Sequence, residues 1–221
     1  MKCGLMVAGL ALGVVLATSA AAAPNERTGF QMAIRTGVSV PFGDMYKDSK
    51  LSDFSSVQVP LLVDLGGKPI PQLFLGGYLG PSFGGAGGEL AKRCDAVNSS
   101  CVGVSFRLGV EAQVHLMPQS FTNLWLGYGI GFESIAIGSS GSNGSTATTG
   151  VSGVELAHFM GGVDLRINRV FGIGPYVDVA LGHYTSFNYD TGSSRGSLNI
   201  ENDERRTHGW LTLGARFVFF P

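Results

Sequence analysis

The chain has 221 residues, of which 14% are charged and 34 are glycine, and its formal net charge is −1. The charged fraction is well below the ~25% of ordinary soluble domains, and the near-neutral balance argues against nucleic acid as a partner. Beyond the N-terminal segment no apolar run reaches the roughly 18 residues that a membrane-spanning helix needs, which leaves the closed β-barrel as the membrane architecture.

The N-terminal residues have the pattern of a secretory signal peptide. Lys2 precedes an apolar run over residues 5–16, and a stretch of small residues follows. This order is typical of a cleaved signal, and the run is shorter than the ~20 residues of a spanning helix. We therefore expect residues 1–22 to be a signal peptide and residues 23–221 to form one barrel domain.

In the mature part, apolar and polar residues alternate over eight segments, as expected of strands with one face toward lipid and the other toward a barrel interior. The segments cover residues 30–40, 57–65, 72–82, 102–116, 124–133, 158–167, 173–181 and 210–219. Alternation in the fourth segment is longer than an ordinary globular strand but suits a tilted membrane-spanning one. The sequence predicts an all-β fold, an eight-stranded antiparallel up-and-down transmembrane β-barrel.

The connections between these segments alternate in length. Long polar connections cover residues 41–55, 84–101, 138–152 and 188–206, and short turns cover residues 66–71, 117–122 and 168–172. Outer-membrane barrels pair short periplasmic turns with longer extracellular loops. The pattern therefore predicts a location in the bacterial outer membrane with both termini in the periplasm.

The C-terminal segment has a second recognisable pattern. It carries Thr212, Gly214, Phe217 and Phe219. A polar residue and a glycine followed by alternate aromatics resemble the assembly signal of outer-membrane barrels, from which the terminal Pro221 departs. Residues 38–44 also resemble the end of the first strand in the broad outer-membrane β-barrel domain family.

In strand count and loop pattern, the chain is similar to the small OmpA- and OmpX-type barrels. This resemblance implies the barrel-assembly machinery, outer-membrane lipid and lipopolysaccharide as partners. It carries no catalytic residue to transfer, and we expect a monomer.

Nine charged residues fall on the polar faces and are predicted to point into the barrel. They are Arg35, Asp64, Arg107, Glu111, Glu133, Asp164, Arg166, Asp178 and Arg216. Side chains just fill the interior of an eight-stranded barrel, and an unpaired charge there is costly. We therefore expect these charges to pair as a structural plug. The alternative is a narrow pore, although mixed signs differ from the single-sign rings of ion-selective filters.

Three polar residues raise a lipid A-modifying enzyme as a further alternative. They are His158, His183 and Ser186. The alternation places His158 inward and His183 toward lipid, and no acid is clearly placed to orient either ring. We therefore expect no catalytic residue, no metal site and no cofactor.

Cys94 and Cys101 are the only cysteines after the signal segment, and both lie in the second long connection. In the oxidising envelope such a pair predicts a disulfide. Together these features favour a barrel with a structural or surface-interaction role, whose loops carry any binding. A soluble lipocalin-like barrel, with apolar residues facing inward, is the architectural alternative.

Overall fold

The computed structural model describes residues 28–96, 98–140, 146–191 and 194–220. The predicted signal peptide, residues 1–22, lies outside the described residues. The elements are β1 (Gly29–Tyr46), β2 (Ser49–Lys50), α1 (Leu51–Phe54), β3 (Ser55–Ile70), β4 (Leu73–Ala86), α2 (Gly88–Ala96), β5 (Ser100–His115), β6 (Thr122–Ser140), β7 (Thr146–Arg166), β8 (Phe171–Asp190), β9 (Arg195–Asn199) and β10 (His208–Phe219). In this part of the chain no helix is both long and apolar enough to cross a membrane.

Eight of the strands close into a ring. In this ring β1 pairs antiparallel with β3, and each strand from β3 to β7 pairs antiparallel with the strand that follows it in the chain. The last strand, β10, pairs with both β8 and β1. The closing seam runs from the pair Met32–Phe219 to the pair Gly43–His208. Every strand of the ring therefore has a bonded neighbour on both sides, as backbone groups in hydrocarbon require. The predicted eight-stranded antiparallel barrel is confirmed.

Burial alternates along the strands in the predicted phase. On β5, Phe106 and Val110 are 40% and 62% exposed, whereas the polar residues that directly follow them, Arg107 and Glu111, are 3% and 5% exposed. Large apolar side chains thus cover the outside of the barrel and polar side chains fill the inside. This is the reverse of the lipocalin-like alternative, which requires an apolar interior.

Inward-facing glycines make room for large inward-facing rings. A Cβ atom on Gly131 would lie 2.4 Å from the Tyr78 hydroxyl oxygen, and one on Gly109 would lie 2.5 Å from it. The tyrosine on β4 therefore lies across glycines of the two neighbouring strands, β5 and β6. Pairing small with large residues in this way fills a narrow barrel without collisions.

The structure corrects the predicted boundaries of connections at both ends of the barrel. Short connections at residues 71–72, 116–121 and 167–170 define the turn end, and the opposite end is the loop end. At the loop end, β6 and β7 occupy most of the predicted connection 138–152, and β9 lies inside the predicted connection 188–206. Apolar residues alternate with polar ones only where one face of a strand contacts lipid. Backbone pairing does not need this alternation and continues beyond it. The sequence pattern therefore underestimates strand length.

The first long connection is also not the solvated polar loop that was predicted. It contains the end of β1, the short strand β2 and helix α1. Leu51 and Phe54 of α1 are 0% and 8% exposed. A single helical turn is too short to show helical periodicity in the sequence, which explains why α1 was missed.

Candidate functional site

The interior of the barrel contains a dense set of buried ionisable side chains. The structure buries all nine charged residues predicted to point inward, together with Lys68 and Glu155. Among the described residues, the buried set thus contains five cationic and six acidic side chains. Mixed signs in such numbers require compensation by pairing, because each isolated charge would cost several kcal/mol.

Near the turn end, Arg216 is the central cation. Its Nη1 lies 3.0 Å from Asp164 Oδ2, and its Nη2 donates a hydrogen bond of 2.8 Å to Gln113 Oε1. The guanidinium also lies 4.2 Å from the ring centre of Trp125. The contacts with Asp164, Gln113 and the Trp125 ring together hold this guanidinium in a single orientation.

The seam between β1 and β10 places two arginines side by side. Arg35 and Arg216 are direct cross-strand partners, and both are fully buried. Asp64 on β3 contacts both: its Oδ1 accepts from Arg35 Nη2 at 2.8 Å, and its Oδ2 lies 3.9 Å from Arg216 Nε. Like charges directly opposite each other destabilise a sheet, so Asp64 compensates both cations at the seam.

Farther along the interior, His158 lies between two carboxylates. Its Nε2 is 3.0 Å from Asp178 Oδ2, and its Nδ1 is 3.0 Å from Glu155 Oε1. Tyr78 donates a 2.6 Å hydrogen bond to the same Glu155 oxygen, and Arg107 Nε lies 3.7 Å from the other. Across the described residues no group of three or more His, Cys, Asp or Glu is arranged to hold a metal ion.

The structure does not bring together the residues considered for catalysis. His158 is fully buried in the interior. His183 is only half-buried, and its Nδ1 lies 3.2 Å from the backbone oxygen of Arg206. Ser186 forms a 2.7 Å hydrogen bond with Ser152 rather than with a histidine. The two histidines thus have separate surroundings and do not form a shared nucleophile–base arrangement.

Toward the loop end, Glu133 organises a group of aromatic residues. Its Oε1 accepts hydrogen bonds from Tyr184 at 2.8 Å and from Trp210 Nε1 at 2.7 Å. The His208 ring stacks on Tyr184 with a centroid distance of 3.8 Å. Arg107 lies 5.6 Å from the Trp210 ring centre and connects this group to the charges below it.

An apolar cluster lies above this group, and we call it the apolar cap. It consists of Met45, Leu51, Phe54, Ile135, Ile137, Val151, Ala180, Tyr184, Ile200 and Trp210. Strand residues contribute the sides of the cap, and α1 contributes Leu51 and Phe54. The cap shares Tyr184 and Trp210 with the Glu133 group. The polar side chains in the barrel interior are therefore in direct contact with the apolar side chains toward the loop end.

Two interior charges were missed in the sequence for identifiable reasons. β7 has a register irregularity between Glu155 and Ala157, so Glu155 and His158 are both buried although three positions apart. A bulge of this kind reverses the two-residue alternation on which the prediction depended. Lys68 was assigned to a turn at residues 66–71, but β3 continues to Ile70.

The residues of the predicted assembly signal lie on β10. Thr212 is buried, and its hydroxyl is 3.0 Å from the Ser39 hydroxyl across the seam. Gly214 pairs with Gly37. Phe217 and Phe219 lie beside Phe171, at ring-centroid distances of 6.5 Å and 5.2 Å. Their role in assembly stays a prediction.

A disulfide joins Cys94 in α2 to Cys101 in β5. Shortly after the helix, Asn98 adopts the left-handed conformation (φ 49°), and the Ser99 N–H donates to the Cys94 carbonyl. This backbone pattern is a Schellman-type helix end, in which asparagine is tolerated. The disulfide and the helix end therefore restrain the same short segment above the barrel.

Replacing both cysteines with serine is expected to loosen α2 without unfolding the barrel. The ring that the disulfide closes is short, so its loss should lower the free energy of local opening by about 2 kcal/mol, or roughly 30-fold in amide exchange. Hydrogen exchange at Ala91 and Ser99 measures the effect, with amides of β5 as the internal control. Unchanged exchange at both amides would show that the disulfide does not restrain the helix.

Comparison with known proteins gave similarity only at the level of solved structures. No protein-family model matches the sequence, and no curated protein matches it. A major outer membrane protein from Thermus thermophilus is 13% identical, with 86% of this chain and 99% of that chain covered and a TM-score of 0.49. OprG from Pseudomonas aeruginosa is 11% identical (88% and 98% covered, TM-score 0.49), and Neisserial surface protein A is 13% identical (85% and 96% covered, TM-score 0.44).

Proposed function

We propose that the protein is an outer-membrane barrel that is closed to solutes and acts structurally or through its loop end at the cell surface. The observation that carries this proposal is the continuous filling of the interior. From the turn end to the loop end, the interior contains first the contacts of Arg216 and then those of His158. The Glu133 group and the apolar cap follow. A solute would have to displace paired charges as well as the cap.

The exterior of the barrel supports a membrane location. Outward-facing side chains such as Leu126, Ile130 and Leu213 are 56%, 48% and 61% exposed. An apolar surface this extensive is unfavourable in water and favourable in lipid. The turn end carries short connections and the loop end carries long strands and two helices. We infer that the turn end and both termini lie in the periplasm.

The partners follow from this location. Outer-membrane lipid surrounds the apolar exterior, lipopolysaccharide meets the loop end, and the barrel-assembly machinery inserts the chain. A single ring with all its strands paired suffices for a monomer. Lipid A modification remains a weaker candidate, because His158 and His183 have separate surroundings.

Conductance across a planar bilayer tests whether the barrel is closed. We expect no resolved channel events from the purified protein. We expect the same from a variant with Leu51→Ser and Phe54→Ser, because the paired charges still fill the barrel beneath the cap. Stepwise currents from the unaltered protein would overturn the proposal and favour a pore. Currents from the variant alone would assign the seal to the cap.

A further inference from the structure

The hairpin of β8 and β9 has an unpaired strand edge at the loop end. β10 pairs with β8 only as far as Gly182, and β9 continues the pairing of β8 beyond the ring. The antiparallel register of β8 with β9 runs from the pair Ser186–Asn199 to the pair Asp190–Arg195. β8 is the one strand with which β9 pairs among the described residues, so the other side of β9 is an open edge.

The hydrogen-bond pattern identifies the backbone groups on this edge. The Ile200 N–H donates to the Thr185 carbonyl, in line with the pairing of β8 and β9. Bonded residues recur at every second position of an antiparallel pair. Gly196 and Leu198 therefore direct their N–H and C=O groups toward β8. The other residues of β9 direct theirs away from it, and these are Arg195, Ser197 and Asn199.

The edge has none of the usual protection against further pairing. No described residue forms a hydrogen bond with the backbone groups that point away from β8. Natural edge strands are commonly protected by a proline, a bulge or an inward-pointing charge. Residues 195–199 contain no proline, their register with β8 is regular, and their single charged residue, Arg195, donates to Asp190 Oδ2 at 2.9 Å. The edge is therefore available to another strand.

A second copy of this chain does not fit the edge within one membrane. Two copies of β9 that pair antiparallel are related by a twofold axis perpendicular to the sheet. A barrel wall stands upright in the bilayer, so this axis would lie in the membrane plane and invert one barrel. Parallel pairing places the axis along the strand, and with a strand tilt of roughly 35–45° the second barrel would lie almost on its side. The occupant is therefore a chain that the bilayer does not hold in this orientation.

The two faces of β9 indicate which side chains such an occupant needs. Leu198 is 61% exposed, and it pairs with Phe187, which packs against the apolar cap. The opposite face presents the exposed side chains of Ser197 and Asn199. Side chains directly across from each other on neighbouring strands contribute to the pairing. A strand with alternating apolar and polar residues therefore complements both faces.

Carboxylates directly after β9 favour a basic residue at one end of the added strand. They are exposed, and they belong to Glu201, Asp203 and Glu204. The neighbouring arginines donate to backbone carbonyls, Arg205 Nε to Ile200 and Arg206 Nη1 to Asp203. Antiparallel pairing is slightly the more stable kind, and it would place the N-terminal end of the added strand beside Asn199. A basic residue at that end complements the carboxylates.

We propose that the free edge of β9 binds an extended peptide segment of a partner protein, which adds to the sheet as a further antiparallel strand. The segment has apolar residues at alternate positions and a basic residue at its N-terminal end. That the partner comes from outside the cell rests on the proposed function, because the loop end must then face the surface. Strand addition itself does not depend on this orientation.

The test titrates the full-length barrel in detergent micelles with a synthetic heptapeptide, one lysine followed by alternating valine and threonine. We expect NMR shifts and slower exchange at the amides of Arg195, Ser197 and Asn199. Ser197→Pro removes an edge donor at a position where proline is tolerated, and it should weaken binding at least about fivefold, the value of one neutral hydrogen bond. Ser197→Ala keeps the N–H and is the matched control, which should bind as the unaltered protein does. Protected amides of Gly196 and Leu198 in both variants show that the hairpin is intact.

Three results would overturn the proposal. The first is the absence of shifts at the edge amides. The second is equal binding by Ser197→Pro and Ser197→Ala while the hairpin is intact, since the peptide would then not pair with the edge. The third is self-association of the unaltered barrel in a bilayer that Ser197→Pro abolishes, which would identify a second copy as the occupant.

A second peptide tests the direction of the added strand. Replacing its lysine with glutamate should weaken binding by up to about fivefold, the value of an exposed ion pair. Equal binding of the two peptides would overturn the role of the carboxylates and the assigned direction. Protease accessibility of the loop end on intact cells tests the orientation separately.

Discussion

Replacing Asp64 with alanine is expected to prevent most of the barrel from reaching its heat-resistant folded form. Asp64 contacts both arginines that meet at the seam between the first and last strands of the ring. Its loss leaves Arg35 and Arg216 adjacent, fully buried and without the carboxylate between them. Removing one member of a buried ion pair costs about 3–5 kcal/mol, a large part of an ordinary stability of about 5–15 kcal/mol.

Other acids limit the damage but do not replace Asp64. Asp164 binds Arg216 from the other side, and Asp178 lies 3.3 Å from Arg35. Neither contacts both cations, and Glu111, 3.5 Å from Arg35, reaches only that arginine, so the repulsion across the seam is less well compensated than in the unaltered protein. Because the seam closes the ring, we expect the loss to appear as failure to fold rather than as a local defect.

Heat-modifiable gel migration gives the folded fraction, and urea unfolding in micelles gives the change in stability. Asp64→Asn keeps the side-chain size and removes only the charge, so it should lose most of the same stability. Arg195→Ala breaks an exposed ion pair and should cost less than about 1 kcal/mol. If Asp64→Asn unfolds at the same urea concentration as the unaltered protein, charge compensation at the seam is unnecessary.

The positions of the interior charges follow from the sequence because a barrel wall has two faces. A two-residue alternation assigns each side chain to one of them, and all nine residues so assigned are buried. Their partners do not follow, because pairing depends on strand register and closure. Arg35 and Asp178, for example, are 143 positions apart and meet only in the closed ring.

The failures share one physical origin, which is local departure from regular alternation. The irregularity beside Glu155 reverses the alternation and hid the residue that binds Tyr78. The single turn of α1 carries no periodicity, so the contribution of Phe54 to the apolar cap was not visible. The strands continue beyond the lipid-facing surface of the barrel. This extension was missed because hydroxyl-rich segments such as residues 146–152 have no apolar outer face.

A second large effect is expected where an inward-facing glycine accommodates Tyr78. A Cβ atom on Gly131 would lie 2.4 Å from the Tyr78 hydroxyl and 2.4 Å from the Leu108 carbonyl oxygen. Gly131→Val therefore forces the tyrosine away from Glu155 and separates two strands locally. Overpacking and the loss of a hydrogen bond to a charged acceptor together should cost about 3–5 kcal/mol.

A double-mutant cycle separates the two causes. Tyr78→Ala removes one of the two collisions and also removes the hydrogen bond that Gly131→Val would break. The double variant should therefore lose less stability than the sum of the single variants, by about 1–2 kcal/mol in urea unfolding. Ile130→Val, one position away and facing outward, is the control and should cost about 1 kcal/mol or less. If the stability losses of the two single variants add exactly, Gly131 is needed only for the close approach of the strands and not to make room for Tyr78.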